Sequence, residues 1–344
     1  MIRERYRDNR HRENRVALVL GANGGIGSEV MRALLRHGWQ VRALARKAPS
    51  GADAFKHPYL EWREGDAMRS EDVVDAAYGA SVIVHAVNPA NYHNWRGLAL
   101  PMLDNTIAAA ALFKATVLLP GTIYNYDKDA FPLLREESPQ NPQTHKGGIR
   151  TEMEERLRDA SWDRIRALVV RSGDFFGPRG NSSWLTSGMI RAGNPIRFVF
   201  NPGPAYINHS WAYLPDVAEA MVRLLQQRHA MPAFDTYHFR GHVLRNREMV
   251  ESVCRAAGIS SRRAVPFPWW AIRAGAPFVE LCKEMLEMRN LWNTAIELDN
   301  AKLRARIGNE PQTPLADAIA DTLIGCGCIR DTGVSPAQAD LSIR

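Results

Sequence analysis

The hydrophobic positions of this chain fall into short runs that suit strands, separated by longer stretches with a helical period. A short, nearly continuous apolar run is typical of a strand covered on both faces of a parallel sheet. Helical stretches begin at Ile26 and span residues 98–114 and about 142–157. The predicted strands are residues 16–20, 40–45, 59–64, 82–87 and 116–119. This alternation predicts the fold class, a doubly wound parallel α/β sheet with helices on both faces.

The first predicted strand leads into three glycines at G-x-x-G-x-x-G spacing, and the first helical stretch follows them. Gly21 allows a tight turn, Gly24 lets backbone amides approach a pyrophosphate, and Gly27 lets the helix pack closely on the sheet. The N-terminus of the helix then faces the anion. The stretch therefore predicts a dinucleotide site that includes Gly21, Asn23, Gly24, Gly25, Ile26 and Gly27.

The end of the second strand bears on which dinucleotide is bound. An acidic residue there would bond the ribose 2′-hydroxyl of NAD, but the sequence has Arg46 and Lys47 instead. A cation suits a 2′-phosphate, so Arg46 favours NADP, and NAD is the alternative. The other interpretation is that Arg46 is a solvated residue at a strand end.

Charge and composition exclude several classes of protein. Much of the net charge of +7 lies in the first 15 residues, where six arginines accompany three acids, and no basic stripe interleaved with aromatic residues follows. We therefore expect no nucleic-acid partner. The sequence has neither an apolar run long enough to span a bilayer nor an N-terminal secretory signal, which predicts no membrane partner and a cytoplasmic location. Four scattered cysteines predict reduced thiols and no metal site.

Several stretches resemble the extended short-chain dehydrogenase/reductase superfamily, in particular its NAD-dependent epimerase/dehydratase family. In the first half they lie at residues 21–27, 64–68, 85–89, 104–115 and 118–126. Downstream, similar stretches lie at residues 169–180, 210–221 and 299–319. The resemblance therefore extends over nearly the whole chain beyond the N-terminal tail.

The resemblance implies a Rossmann-type domain over residues 15–178, to which residues 210–242 return, and a smaller substrate lobe of residues 179–209 and 243–330. The remaining residues, 1–14 and 331–344, are predicted tails. A nicotinamide cofactor, a small-molecule substrate and a homodimer are the implied partners. The implied cofactor contacts beyond the glycines are Asp66, Ala67, His85, Ala86, Val87 and Lys146.

The catalytic positions depart from this family. Its members carry Ser or Thr after the fifth strand, and then Tyr and Lys four residues apart on a helix, where both side chains share one face. Thr122 matches the hydroxyl position, but Lys146 and Arg150 stand where Tyr and Lys are expected. This pattern resembles the atypical branch, whose members often lack the usual catalytic residues.

Lys146 and Arg150 admit three interpretations. In the first, Lys146 is the general acid, its pKa lowered by partial burial and by Arg150. In the second, the two cations hold the cofactor or an anionic substrate, while Tyr124 or Tyr126 transfers the proton. In the third, both are solvated charges and catalysis has been lost. Tyr124 and Lys128 also match Tyr-x-x-x-Lys, but nearby prolines make a helix there doubtful.

The predicted substrate lobe is rich in aromatic residues, most of which we expect to be core. Such a lobe suits an apolar or aromatic carbonyl substrate at least as well as a nucleotide sugar. The candidate substrate-binding residues are Tyr126, Arg179 and His209. The predicted function is an NAD(P)-dependent oxidoreductase that exchanges hydride between nicotinamide and a carbonyl or alcohol. The alternatives are a nucleotide-sugar epimerase or dehydratase, and a non-catalytic NADP-binding redox sensor or scaffold.

Overall fold

The strands and helices alternate along most of the chain, as the hydrophobic pattern predicts. The computed structural model describes residues 15–50, 55–89, 94–180 and 183–331. The strands are β1 Val16–Leu20, β2 Gln40–Ala45, β3 Leu60–Glu64, β4 Val82–His85, β5 Thr116–Pro120, β6 Leu133–Leu134, β7 Arg166–Ser172, β8 Asp174–Phe176, β9 Val199–Asn201, β10 Asn208–Tyr213, β11 Phe234–Phe239, β12 His242–Arg245, β13 Ala264–Pro266 and β14 Glu297–Leu298. The helices are α1 Gly25–Arg36, α2 Ser70–Ala77, α3 Trp95–Phe113, α4 His145–Ala160, α5 Leu214–Gln226, α6 Asn246–Ala256, α7 Trp269–Gly275, α8 Glu280–Trp292, α9 Ala301–Ile307 and α10 Leu315–Gly325.

Seven parallel strands form the central sheet, in the order β11-β7-β5-β4-β1-β2-β3. The chain moves outward from β1 to β3 and then crosses back to place β4 on the other side of β1. The loops that follow β1 and β4 therefore diverge. Open α/β sheets bind ligands in the crevice at such a switch point, beyond the carboxyl ends of the strands.

Helices cover both faces of this sheet. On one face, α1 and α5 pack against each other over a core that includes Val19, Leu34 and Met221. On the other face, α2, α3 and α4 cover a core that includes Leu18 and Leu103. The side chains of β1 supply both cores because neighbouring residues of a strand point to opposite faces. The predicted doubly wound α/β fold is confirmed.

Smaller sheets lie beyond the carboxyl end of β7. There β8 follows β7 after a single glycine and pairs with β10, which in turn pairs with β12. These strands, together with α6 and α10, enclose a separate core that includes Phe176, Trp211, Met249, Trp292 and Leu323. Among the aromatic residues of the predicted substrate lobe, Phe267 and Trp292 are buried, whereas Phe198, Tyr206, Trp270 and Phe278 are exposed, so the expectation that most of them are core holds only in part.

Element boundaries differ slightly from the predicted ones. β4 ends at His85, before the predicted residue 87, and β5 extends to Pro120. α3 begins at Trp95, earlier than predicted. The predicted helix 142–157 is α4, which begins at His145 because the Thr144 hydroxyl accepts a hydrogen bond from the Gly147 amide at 3.0 Å and caps the helix there.

The predicted tails and the predicted domain boundaries are not tested by the fold. The predicted tail 1–14 and nearly all of the predicted tail 331–344 lie outside the described residues. The predicted boundaries between the Rossmann-type domain and the substrate lobe stay predictions. Across the ranges that are described, no helix combines the length and apolarity needed to cross a membrane.

Candidate cofactor and active site

The glycine loop between β1 and α1 has two positions that no other residue would fit. Gly21 has φ +83°, and a Cβ atom there would lie 2.5 Å from the backbone oxygen of Ala86. A Cβ atom on Gly27 would lie 2.2 Å from the backbone oxygen of Gly21. The turn is therefore pressed against the end of β4, and α1 is pressed against the turn, as the predicted roles of these glycines require.

The outer side of the same loop is open. A Cβ atom on Gly24 would meet only the backbone oxygen of Gly21, at 3.3 Å, and both Asn23 and Gly24 are exposed. α1 begins at Gly25 with neither a side-chain cap nor an acidic residue in its first turn. An uncapped helix N-terminus without acidic neighbours attracts an anion. Ile26, in contrast, is buried in the core beneath the loop.

The end of β4 borders this loop through its backbone. Ala86 and Val87 are half-buried and lie against Gly21. The side chain of His85 points the other way, and its Nδ1 atom lies 2.8 Å from the hydroxyl of Thr106 on α3. Burial lowers the pKa of His85 to about 3, so the ring is neutral. The predicted cofactor contact at His85 is corrected accordingly: its side chain belongs to the packing of α3.

The ends of β2 and β3 carry the other predicted cofactor residues. Arg46 follows β2 directly and is exposed, with no acidic residue at the strand end. After β3, the Asp66 carboxylate accepts a hydrogen bond from the Met68 amide at 3.0 Å. The backbone oxygen of Ala67 accepts one from the Asn105 amide group at 2.9 Å. These contacts fix the loop that borders the crevice, and the cofactor roles of its residues stay predictions.

Arg179 lies beside the glycine loop. Its guanidinium contacts the Glu29 carboxylate of α1, with Nε at 2.6 Å and Nη2 at 2.5 Å from Oε1. Its backbone oxygen lies 3.2 Å from where a Cβ atom on Gly25 would stand. Glu29 is only 2% exposed, so this ion pair ties the segment after β8 to the first helix. The predicted substrate role of Arg179 stays a prediction.

A chain of three polar side chains begins at Tyr124, in the segment after β5. The Tyr124 hydroxyl donates to Oδ1 of Asp174 at 2.7 Å, and the Nε2 atom of His209 lies 2.7 Å from Oδ2 of the same carboxylate. Tyr124 is half-buried, whereas Asp174 is buried. Thr122 accepts a hydrogen bond from the Tyr124 amide at 3.3 Å, which begins a single 3₁₀ turn over Ile123–Asn125. The prediction that no α-helix follows Tyr124 is confirmed.

Two predicted substrate-binding side chains are inaccessible, which corrects both predictions. The His209 side chain is fully buried, and its ring stacks on Trp292 with centroids 4.0 Å apart. Tyr126 is 3% exposed, and its hydroxyl bonds Arg171 and lies 3.0 Å from Nε2 of His238. Burial also raises the pKa of the Tyr126 phenol. Tyr126 follows the 3₁₀ turn after β5 and His209 belongs to β10, but both side chains turn into the protein.

The two cations at the family's catalytic positions are placed differently from solvated surface charges. Lys146 is the second residue of α4 and is 7% exposed. Arg150 is half-buried, donates to the Asn88 side chain at 2.9 Å, and lies over the Trp95 ring. A Cβ atom on Gly147 would lie 2.3 Å from the Tyr124 backbone oxygen, so α4 is pressed against the segment after β5. The interpretation as a solvated charged face therefore fails for Lys146.

Sequence reasoning missed Asp174. It follows β7, one of the parallel strands, and is the carboxylate that orients Tyr124. An acidic residue just after a buried parallel strand is a signal that could have found it, because such strand ends meet at one edge. Glu29 was also missed, because an acidic residue on a helix predicts a solvated side chain. Only the fold shows that the segment carrying Arg179 lies beside it.

A separate cavity of about 390 Å³ lies away from this edge. It is lined by Arg42, Arg63, Val74, Asp75, Tyr78 and Phe113. Arg42 bonds Glu61 and the backbone at the end of α2, and Arg63 pairs with Glu61. Because its cations are matched by carboxylates, we assign no ligand there. Among the described residues, no group of three or more His, Cys, Asp or Glu side chains is arranged to hold a metal ion.

The parallel sheet, its switch point and the glycine loop define a Rossmann-type α/β protein. The sequence profile of the NAD dependent epimerase/dehydratase family matches residues 17–238, more than half of the chain. The protein therefore belongs to the NAD dependent epimerase/dehydratase family, and the resemblance found in the sequence is confirmed. A search of curated protein sequences found no match.

Solved structures of this family share the fold at low sequence identity. MoeE5 in complex with UDP-glucose and NAD is 16% identical, with a TM-score of 0.69, covering 90% of this chain and 97% of its own. A putative epimerase from Burkholderia cenocepacia is 18% identical, with a TM-score of 0.71 and coverages of 92% and 100%. UDP-glucose 4-epimerase from Bifidobacterium longum, in complex with NAD+ and UDP, is 16% identical, with a TM-score of 0.70 and coverages of 90% and 97%.

Proposed function

We propose that this protein binds a nicotinamide dinucleotide at the glycine loop and uses it to exchange hydride with a carbonyl or alcohol substrate. The open side of the loop at Gly24 and the uncapped N-terminus of α1 carry this proposal. They offer backbone amides and a positive helix end to a pyrophosphate, with no Cβ atom in the way. The residues we assign to the cofactor are the glycines of the loop, the backbone of Ala86 and Val87, and the loop at Asp66.

The form of the cofactor rests on Arg46. We propose NADP, because the exposed guanidinium at the end of β2 suits a 2′-phosphate and β2 is not followed in sequence by the acid that would bond a 2′-hydroxyl. The structural relatives named above that carry a cofactor hold NAD or NAD+, which keeps NAD as the alternative. When bound, the nicotinamide ring supplies or accepts the hydride.

The protein's own contribution is the movement of a proton, which we assign to Tyr124. In the direction of alcohol oxidation, the substrate hydroxyl gives its proton to the phenol oxygen, while the phenol proton passes to Oδ1 of Asp174. The hydrogen bond from His209 to Oδ2 keeps the carboxylate oriented. In the reverse direction the same two protons return. Tyr126 cannot take this role because its hydroxyl is enclosed by Arg171 and His238.

Lys146 and Arg150 have a supporting role in this proposal. Both lie in the first turns of α4, which is packed on the backbone of Tyr124. Two cations there stabilise negative charge on the cofactor phosphates, on an anionic substrate, or on an oxygen that has lost its proton. Lys146 as the general acid is the competing interpretation. Turnover and cofactor affinity that are both unchanged in Lys146→Met would exclude either role.

Two other functions are alternatives to the proposed hydride exchange. A nucleotide-sugar epimerase is the second candidate, favoured by the UDP-glucose and UDP held by two of the structural relatives. A redox sensor without turnover is the third, favoured by the absent family tyrosine. We also propose a cytoplasmic setting, supported by four free cysteines.

The experiment that separates these candidates has two stages. The fluorescence of NADPH and NADH is followed as each is titrated with the protein, and oxidation is then measured with a panel of aliphatic and aromatic carbonyls. UDP-glucose and UDP-galactose are tested for interconversion in parallel. Oxidation with any carbonyl supports the oxidoreductase, and interconversion of the sugars supports the epimerase. Binding without either reaction supports the sensor.

A further inference from the structure

The described residues expose several large apolar side chains on the segments around β9 and α7. Phe278 is 87% exposed and Trp270 79%, while Phe198 and Val279 are each 48% exposed. α7 has no buried residue, although it is largely apolar. Ring contacts run from Phe198 through Phe200 and Phe267 to Trp269, which joins the two segments. Exposed apolar surface concentrated in this way is typical of an interaction site.

Two distant stretches of sequence meet to build this surface. β9 pairs in parallel with β13, so that Val199 lies opposite Ala264. The Trp269 indole donates to the backbone oxygen of Pro202 at 2.7 Å, which holds the start of α7 against the segment after β9. We call the surface formed by residues 191–206 and 260–279 the aromatic-basic face.

The charge of this face has one sign. Its two segments contain arginines and no aspartate or glutamate. Each of its five arginines is exposed, and they are Arg191, Arg197, Arg262, Arg263 and Arg273. Because Trp270 and Arg273 are three residues apart on α7, an aromatic and a cation share one side of that helix. Exposed arginines and exposed aromatic residues therefore share this surface in the folded chain.

These features favour an anionic membrane surface over two other occupants. A second copy of the chain seated on the same face would oppose five arginines to five arginines with no acid on either side. Proteins that bind single-stranded nucleic acid place cations along its backbone. Residues 269–279 instead form a nearly continuous apolar stretch with one charge, Arg273. Trp and Phe flanked by Arg are the side chains of segments that lie in the headgroup region.

We infer that the aromatic-basic face docks this protein on anionic lipid. Trp270 and Phe278 enter the boundary between headgroups and acyl chains, and the arginines contact lipid phosphates. This is peripheral binding, and it needs no membrane-spanning helix. The inference does not depend on the proposed function.

The test uses the full-length protein and co-sedimentation with two kinds of vesicle, phosphatidylcholine alone and phosphatidylcholine mixed with phosphatidylglycerol. We expect binding to the anionic vesicles only, released by added salt. In the double variant Trp270→Ala with Phe278→Ala, the affinity should fall about tenfold or more. The double variant Arg262→Glu with Arg263→Glu should lose at least as much.

Trp162→Ala is the matched control, because Trp162 is 84% exposed outside this face. It should bind anionic vesicles as the wild type does. All variants keep the arginine-rich N-terminal tail, so binding that survives in both double variants belongs to the tail and overturns the inference. Absence of wild-type binding overturns it as well. So does a single-stranded oligonucleotide bound in preference to vesicles, or a dimer that dissociates in the Trp270 and Phe278 variant.

Discussion

At the scale of single residues, the candidate site depends on which of two tyrosine hydroxyls is accessible to a substrate. Tyr124 and Tyr126 are two residues apart after β5, and no sequence pattern distinguishes the two phenols. The hydroxyl of Tyr126 is buried against Arg171, whereas that of Tyr124 is half-buried and bonded to Asp174. The distinction comes from long-range contacts, since Asp174 and Arg171 belong to a later part of the chain. No local pattern could have shown it.

The first prediction concerns Tyr124. Tyr124→Phe removes the transferable proton and leaves the ring in place, so kcat should fall by about a hundredfold with little change in KM. Steady-state kinetics with the best substrate from the carbonyl panel measure this. Asp174→Asn should lower kcat less. In the Tyr124→Phe background it should have almost no further effect, because Asp174 acts through the phenol. Independent, multiplicative losses would contradict that arrangement.

The second prediction concerns Arg46. Arg46→Ala removes the cation at the end of β2 and should weaken NADPH binding about tenfold, while NADH binding stays nearly the same. Fluorescence titration of both cofactors gives the two affinities. Lys47→Ala, one residue further on, is the control for a general loss of positive charge. Equal losses of affinity for NADPH and NADH in Arg46→Ala would show that this side chain does not bind a 2′-phosphate.

At the scale of elements, the strand–glycine–helix unit was predictable because each of its steps is local. β1, the turn at Gly21 and the start of α1 follow from a buried run, a glycine and a helical period. The aromatic-basic face was not predictable in the same way. Its two halves lie about sixty residues apart and become one surface only through the pairing of β9 with β13. Sequence patterns reveal elements, whereas pairing between distant elements needs the fold.

The third prediction separates two glycines of one loop. Gly27→Ala places a Cβ atom 2.2 Å from the Gly21 backbone oxygen and should destabilise the protein by about 2 kcal/mol. Gly24→Ala meets only one atom, at 3.3 Å, so its melting temperature should stay close to that of the wild type. Thermal unfolding followed by circular dichroism compares them directly. Similar melting temperatures for the two variants would show that α1 is not packed on the turn as described.

At the scale of the whole molecule, a buried polar network joins α4 to two strands of the central sheet, β7 and β11. Glu154 of α4 and Arg171 of β7 form a buried ion pair, and Arg171 also contacts Tyr126 and His238. The predicted parallel sheet with helices on both faces needed only the alternation of elements. This network could not be predicted, because its members come from three separate elements and one loop. Breaking one member of a buried pair usually costs about 3 to 5 kcal/mol, so Glu154→Gln should strongly lower stability.

The fourth prediction is a pH dependence of stability. Burial lowers the pKa of His85 and of His238 to about 3 in the folded protein, below the ordinary value of 6.5. Below pH 6.5 the unfolded chain therefore binds protons that the folded protein does not, and stability falls as the pH drops toward 3. Each ring contributes a slope of about 1.4 kcal/mol per pH unit in that window.

The measurement is urea unfolding at several pH values between neutral and mildly acidic. His85→Gln should remove about half of the contribution of the two rings to the slope, because a glutamine has no proton to gain. If His85→Gln kept the wild-type slope, His85 would not be buried in a neutral form.

The central claim is that a nicotinamide dinucleotide rests on the turn between β1 and α1, and calorimetric titration tests it most directly. NADPH and NADH are titrated separately into the wild type and into Gly24→Ala. We predict saturable binding of at least one cofactor at one site per chain, and a clear loss of affinity in Gly24→Ala although that variant stays folded. If neither cofactor bound, even at millimolar concentration, or if Gly24→Ala bound it as tightly as the wild type, the claim would be contradicted.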